Sequence, residues 1–307
     1  MKTRLFCKVI IIGSLLYCLF CGSVSALESL NADPVQFSSV SLRYPVILVH
    51  GIAVRDRGFV FTSWGRIPDI LKEYGVRVFF GNTDAWGSIE SNAEIIKNTV
   101  DRVLEETKAA KVNIIAHSKG GLDSRCFIWK YNYGDKIASL TTISTPHHGS
   151  VVADFFQSVR ILHSITARRS LAVLGKIYED VYPDAYAVSY ELTTENLREF
   201  NKNVKMDDRV YYQSIYSTMN NATDDPIFAT GFLYIKRIEG DNDGLVSEYS
   251  ARWGRNVIKI PGGISHVQII DFNVKSQFDI DISAGQVDMG IPNIYLKILK
   301  DLSNRGF

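Results

Sequence analysis

Residues 112–121 read Val-Asn-Ile-Ile-Ala-His-Ser-Lys-Gly-Gly, an apolar run broken by a serine among small residues. The pattern predicts a strand ending at Ala116, a helix beginning near Gly120 and Ser118 on the bend between them. A serine hydroxyl becomes a useful nucleophile when a sharp strand-to-helix turn lifts it clear of the backbone and a base stands beside it. Small flanking residues are needed there because the chain doubles back on itself. Ala116 stands where G-x-S-x-G has its first glycine and adds only a methyl group. Taken alone, the same residues would also suit a helix start capped by Ser118. A second stretch separates the two readings. Tyr44-Pro45-Val46-Ile47-Leu48-Val49-His50-Gly51 is another unbroken apolar run, as strands of a parallel sheet covered on both faces are. The loop after His50-Gly51 can offer backbone N–H groups to an oxyanion, and the Ser118 bend can offer the nucleophile. Together they point to acyl transfer through a serine ester.

Elements that would position these residues follow from the alternation of patterns. A helical stretch around Trp64–Tyr74 precedes a short strand at Val76–Phe80. Ile95, Ile96, Val100 and Val103 recur at helical spacing in a long amphipathic helix over Ile89–Thr107. The strand Val112–Ala116, the helix after Ser118 and a strand at Ile137–Ile143 complete a βαβα series. Such a series implies a mostly parallel sheet with right-handed crossovers. From Val151 to about Asn221 the pattern turns largely helical. Val152, Phe155, Phe156, Val159 and Leu162 form a wide apolar stripe, ordinarily the core-facing side of a helix. Thr193 or Thr194 opens a second helix running through Phe200. Strands are expected again at Arg209–Tyr216, Phe232–Ile238 and Val257–Ile260, with a last helix at Ile291–Leu302.

With 307 residues, 46% hydrophobic and 22% charged, the chain has length and composition for one large α/β domain. A net charge of +1 and the lack of a long basic run exclude nucleic acid as an expected partner. Residues 1–26 are expected to be a signal peptide: Lys2, Arg4 and Lys8 precede the apolar Val9–Phe20, and Val24-Ser25-Ala26 suits cleavage after Ala26. The apolar part is shorter than the roughly 20 residues that cross a bilayer, so secretion or export to the periplasm is expected ahead of a retained anchor. The mature domain would be residues 27–307. Of four cysteines only Cys126 lies beyond the signal segment, so no intramolecular disulfide is expected; a buried structural thiol suits its place in the elbow helix.

The chain resembles the secreted bacterial lipases of the α/β-hydrolase superfamily, of the Pseudomonas, Burkholderia and Proteus triacylglycerol lipase type. The resemblance lies in Pro45–Gly51, Ala116–Asp123 and Ser144-Thr145-Pro146-His147-His148-Gly149-Ser150. It continues in Leu192-Thr193-Thr194 with Phe200-Asn201, in Asn242-Asp243-Gly244-Leu245-Val246-Ser247 and at Ser265-His266, in the family's order. It implies an α/β-hydrolase fold: a mostly parallel sheet flanked by helices, with residues 151–221 as a helical lid or cap over the site. It also implies a Ser, Asp, His order for the triad. Among six histidines, His50 and His117 sit inside the loop motifs, His147 and His148 shape the pocket loop, and His163 lies in the insertion. His266, after a late strand and a Pro-Gly-Gly loop, is the expected base. The Asp241-Asn242-Asp243-Gly244 turn supplies the acid, Asp243 ahead of Asp241; such a cluster alone would be a plain surface turn. The oxyanion hole falls to the backbone N–H groups of Ile52 and Lys119, with the Lys119 side chain in solvent.

The expected activity is a triacylglycerol lipase, a serine carboxylic ester hydrolase acting on a lipid or ester substrate at an interface without a cofactor. A short-chain carboxylesterase, a phospholipase or an acyltransferase would use the same triad, and a non-catalytic lipid-binding protein could keep the fold. The resemblance departs at one point. Where those lipases hold a structural calcium ion through an Asp two residues after the catalytic His, this chain has Gln268, a weaker ligand. Asp271 or the Asp224-Asp225 pair could serve differently; no metal site is expected.

Overall fold

A computed structural model describes residues 41–56, 63–159, 180–181, 183–272 and 290–307. The segment 1–26, His163 and Leu162 lie outside these residues, as does the whole stretch 160–179. Six parallel strands form one sheet in the order β2-β1-β3-β4-β5-β6. They are β1 (Val46–Val49), β2 (Val78–Phe80), β3 (Val112–His117), β4 (Ile137–Ile143), β5 (Tyr211–Ser217) and β6 (Asn256–Ile260).

The unbroken apolar runs have a direct cause. Successive strand side chains point to opposite faces, and here both faces are covered. Val46, Leu48 and Ile115 face one core with α1 (Ile67–Glu73) and the C-terminal helix, α9 (Ile291–Asn304). Ile47, Val49, Ile114 and Ala116 face the other, with α2 (Ile89–Thr107) and α3 (Lys119–Tyr131). Every residue of β1, β3 and β4 is buried. Helix α2 occupies the span its periodicity predicts: Ser88 caps it by accepting the Ser91 N–H, Ile89, Ala93, Ile96, Val100 and Val103 line its buried stripe, and Lys108 ends it in a left-handed conformation.

After β4 the described chain is helical at α4 (Val151–Gln157), α5 (Ala185–Glu191) and α6 (Thr194–Asn203), before β5. The expected helical insertion of 151–221 therefore takes in a strand of the central sheet, and its helical part ends before Tyr211. A correction concerns Phe232–Ile238, read as a strand. It belongs to a helix, α7 (Ala229–Ile238). Phe232 and Ile235 are buried three residues apart, while Leu233 and Ile238 are exposed, which is helical and not alternating burial. A short apolar run does not distinguish the two states. Gly231 lets this helix lie against the Asp241–Gly244 turn, since a Cβ there would stand 2.2 Å from the Gly244 carbonyl oxygen. The short α8 (Glu248–Ala251) leads into β6.

Candidate active site

The bend at Ser118 is strained as a nucleophile elbow requires. Its φ of 52° and ψ of −129° lie where a residue with a Cβ is rarely found. Its N–H donates to the Ile143 carbonyl at 2.9 Å, which ties the end of β3 to the end of β4. The side chain makes no capping bond to α3, so Ser118 is not a helix cap. Gly120 explains how the turn closes: a Cβ there would sit 2.3 Å from the His50 carbonyl oxygen. Ala116 points into the α2/α3 core, where its methyl group is accommodated.

His266 approaches Ser118 from a separate loop. Its Nε2 lies 2.9 Å from Ser118 Oγ and its Nδ1 lies 2.8 Å from Asp243 Oδ2, with all three side chains buried. A carboxylate only accepts, so the proton sits on Nδ1 and the Nε2 lone pair faces the serine hydroxyl. Asp243 is itself aimed by its backbone. Its Oδ1 accepts the N–H groups of Leu245 and Val246 at 3.0 and 2.8 Å, and its carbonyl accepts the His266 N–H at 2.9 Å. Asp241, the other acid considered, is exposed and pairs with Lys236 and Lys259.

The remaining histidines sort by their partners. His117 Nε2 donates to the His266 carbonyl at 2.9 Å, and the two rings lie 4.7 Å apart. Burial holds His117 well below its ordinary pKa, so its ring is neutral. His50 bridges Gly51 and Thr83 behind the loop after β1. His147 turns away from Ser118: its Nδ1 accepts from Arg125 at 3.1 Å and its ring stacks on Trp253. His148 stacks on Tyr249. Arg125, which the sequence did not single out, is buried over the Trp253 ring at 4.1 Å, and desolvation lowers its pKa to about 9. The Cys126 thiol is buried and pushed up to about 12, as suits a structural thiol.

Lys119 directly follows the serine, and the residue before Ile52, Gly51, lies so close that a Cβ there would stand 2.8 Å from Ser118 Cβ. Lys119 opens α3, and the first N–H groups of a helix have no acceptor within it. Ile52 donates to no backbone carbonyl among the described residues. The Lys119 side chain differs from expectation. It is not in solvent: only 2% of it is exposed, and Nζ donates to Asp123 Oδ1 at 2.6 Å. Asn92, reaching across from α2, donates to the other Asp123 oxygen at 2.9 Å. The packing of α2 over the first turn of α3 encloses the pair.

The residues weighed for calcium are engaged with one another. Gln268 accepts the Ser265 N–H through Oε1 and donates to the Asp224 carbonyl through Nε2, while Ser265 Oγ donates to Asp225 Oδ2 at 2.7 Å. Asp224 Oδ2 accepts the N–H groups of Asn220 and Asn221. Asp271 accepts a bidentate pair from Arg66 at 2.7 and 2.8 Å. These residues brace the His266 loop directly. Among the described residues no group of three or more His, Cys, Asp or Glu is arranged for a metal.

Residues 45–224 match the family model described as palmitoyl protein thioesterase. The chain is 32% identical over 259 residues to triacylglycerol lipase 2 of Saccharomyces cerevisiae, covering 80% of this chain and 74% of that one. It is 32% identical over 270 residues to a triacylglycerol lipase of Burkholderia plantarii, covering 69% and 75%. A crystal structure of a metagenomic carboxyl esterase superposes with a TM-score of 0.72 at 16% identity, over 92% of this chain and 82% of that one. EstA from Clostridium botulinum does so with a TM-score of 0.63 at 17% identity, over 95% and 97%. These structures share the α/β-hydrolase fold.

Proposed function

The chain belongs to the palmitoyl protein thioesterase family and, with its triacylglycerol lipase homologues, is a serine ester hydrolase; we propose that it is a triacylglycerol lipase of the secreted bacterial type. Ser118 attacks the ester carbonyl while His266 Nε2 takes its proton, and Asp243 orients the ring and stabilises the imidazolium. The N–H groups of Ile52 and Lys119 receive the oxyanion; loss of one such donor typically costs roughly 3–4 kcal/mol of transition-state stabilisation. His266 returns the proton to the leaving alcohol, and water then releases the acyl group from Ser118 by the same route. The observation that carries this assignment is the pair of contacts at 2.9 and 2.8 Å linking three buried side chains from three separate loops.

Replacing Ser118 with Ala is expected to lower ester hydrolysis by several orders of magnitude with an unchanged melting temperature. Reaction of the parent protein with a fluorophosphonate, lost in Ser118→Ala, checks the nucleophile. A variant retaining more than a few per cent of activity places the nucleophile elsewhere. A profile of acyl chain lengths on nitrophenyl esters, with and without an emulsion, tests lipase against short-chain esterase. Alongside it, an acyl thioester tests the reaction named in the matched family model. The helical residues after β4, including Phe155 and Phe156, belong to a lid that meets lipid. Residues 1–26 direct export; the mass of the exported chain, expected to begin at Leu27, checks this.

A further inference from the structure

Asp180 is bound on one side to the loop after β1 and on the other to the loop before α2, and we propose that it is a positioning residue for the oxyanion donor at Ile52. The proposal rests on the oxyanion role given to Ile52 above. Residues 51–56 form no helix or strand, so their backbone must be held from outside. Ala53 has φ 59°, a left-handed conformation costly for a residue with a Cβ. Its N–H donates to the Ala85 carbonyl at 3.0 Å, which fixes the peptide plane adjoining the one that carries the Ile52 N–H.

Ala85 is fixed in turn by Asp180. Asp180 Oδ1 accepts the Ala85 N–H at 3.0 Å and Oδ2 accepts the Trp86 N–H at 2.8 Å. Oδ1 also accepts Arg55 Nη2 at 3.2 Å, three residues past Ile52. One fully buried carboxylate thereby holds both ends of a frame: Arg55 on the oxyanion loop, and the amides flanking the carbonyl that pins Ala53. The neighbouring residues reinforce it, with the Val181 N–H donating to Asp84 Oδ1 at 2.9 Å and the Asp184 N–H to the Trp86 carbonyl at 2.6 Å. The hydrogen bonds of Asp180 go to Arg55, Ala85 and Trp86 and not to Ser118 or His266, so its effect passes through the backbone. That effect matters because an oxyanion donor works only near its ideal distance, and misplacement by about 1 Å can cost on the order of 100-fold in rate.

Asp180→Asn keeps the shape but turns one acceptor oxygen into an NH2 group facing a donor. Arg55→Met removes one arm of the frame and serves as a second variant should Asp180→Asn fold poorly. Both are measured on p-nitrophenyl acetate and on its thionoester, whose sulfur is a weak hydrogen-bond acceptor and gains little from the hole. Titration of Ser118 with a fluorophosphonate and melting temperatures accompany the kinetics. Asp180→Asn is expected to titrate to full stoichiometry. Its kcat on the oxygen ester should fall roughly 10- to 100-fold with KM little changed, and its preference for the oxygen ester over the thionoester should shrink by a similar factor. Arg55→Met should show the same signature, smaller. An unchanged oxygen-to-sulfur preference in both variants overturns the proposal, whether kcat holds or both esters lose equally with a lowered melting temperature. Failure of the parent protein to label at Ser118, or its lack of any preference between the two esters, overturns the assignment of the site instead.

Discussion

At the scale of single residues, the buried Lys119–Asp123 pair shows how the turn at Ser118 is stabilised. Two charges have been taken out of water, and their mutual contact and the Asn92 amide offset that cost. Desolvation raises the Asp123 pKa, with Lys119 the main influence opposing it. Lys119→Met keeps the backbone N–H but strands a buried carboxylate, and is expected to destabilise by about 3–5 kcal/mol in chemical denaturation. Adding Asp123→Leu removes the stranded charge and should restore most of that loss. A Lys119→Met protein as stable as the parent would mean that water reaches Asp123. The same pair marks a limit of sequence reading. The bend at Ser118 was legible in its own neighbours, whereas His266 and Asp243 were picked out through the family resemblance, since an Asp-Asn-Asp-Gly cluster alone reads as a surface turn. The burial of Lys119 was not legible, because it depends on Asn92, which stands in another helix.

At the scale of elements, legibility follows how local each cause is. Helix α2 and strand β4 match their expected bounds because periodicity and continuous burial are written in their own residues. Helix α7 was misread because its character depends on the Asp241–Gly244 turn it packs against. Asp180 escaped notice altogether, since nothing adjacent to it in sequence announces its three donors. Helix α4 is where packing and function compete most evenly. Phe156 packs with Val151, Val152 and Ile235 between α4 and α7, and the Phe155 ring lies 5.4 Å from Tyr234. Both aromatics are half-buried, which suits a helix that meets lipid on one side and protein on the other. Each such side chain can gain roughly 1.5–3 kcal/mol when buried at a lipid surface. Changing both to serine is expected to lower hydrolysis of emulsified long-chain triacylglycerol tenfold or more beyond any loss on a soluble short ester. Equal loss on both substrates with a lowered melting temperature would show that the stripe is ordinary core.

At the scale of the whole molecule, buried titratable groups make stability depend on pH in two opposing directions. Burial holds His117 and His147 well below 6.5 in the folded chain. In the unfolded chain they take up protons as pH falls through 6.5, so the stability they contribute at neutral pH is lost on acidification. Glu191 works the other way. Mainly through desolvation its pKa is raised from 4.5 to about 7, with its carboxylate accepting the Ile89 N–H at 2.8 Å. The folded state therefore binds a proton that the unfolded state lacks between pH 4.5 and 7. The stability linked to Glu191 is present at low pH and is lost as pH rises through 7. Asp56, Asp123 and Asp180 are raised in the same sense by burial. Between pH 5 and 7 Glu191 thus masks part of the acid sensitivity that the histidines impose. Glu191→Gln removes this contribution while keeping an oxygen to accept the Ile89 N–H. The variant is expected to melt higher than the parent at pH 8, where Glu191 must be buried charged. Its melting temperature should also fall more steeply than the parent's from pH 7 to pH 5. Parallel melting curves for the two proteins across this range would mean that Glu191 titrates as an ordinary solvated acid.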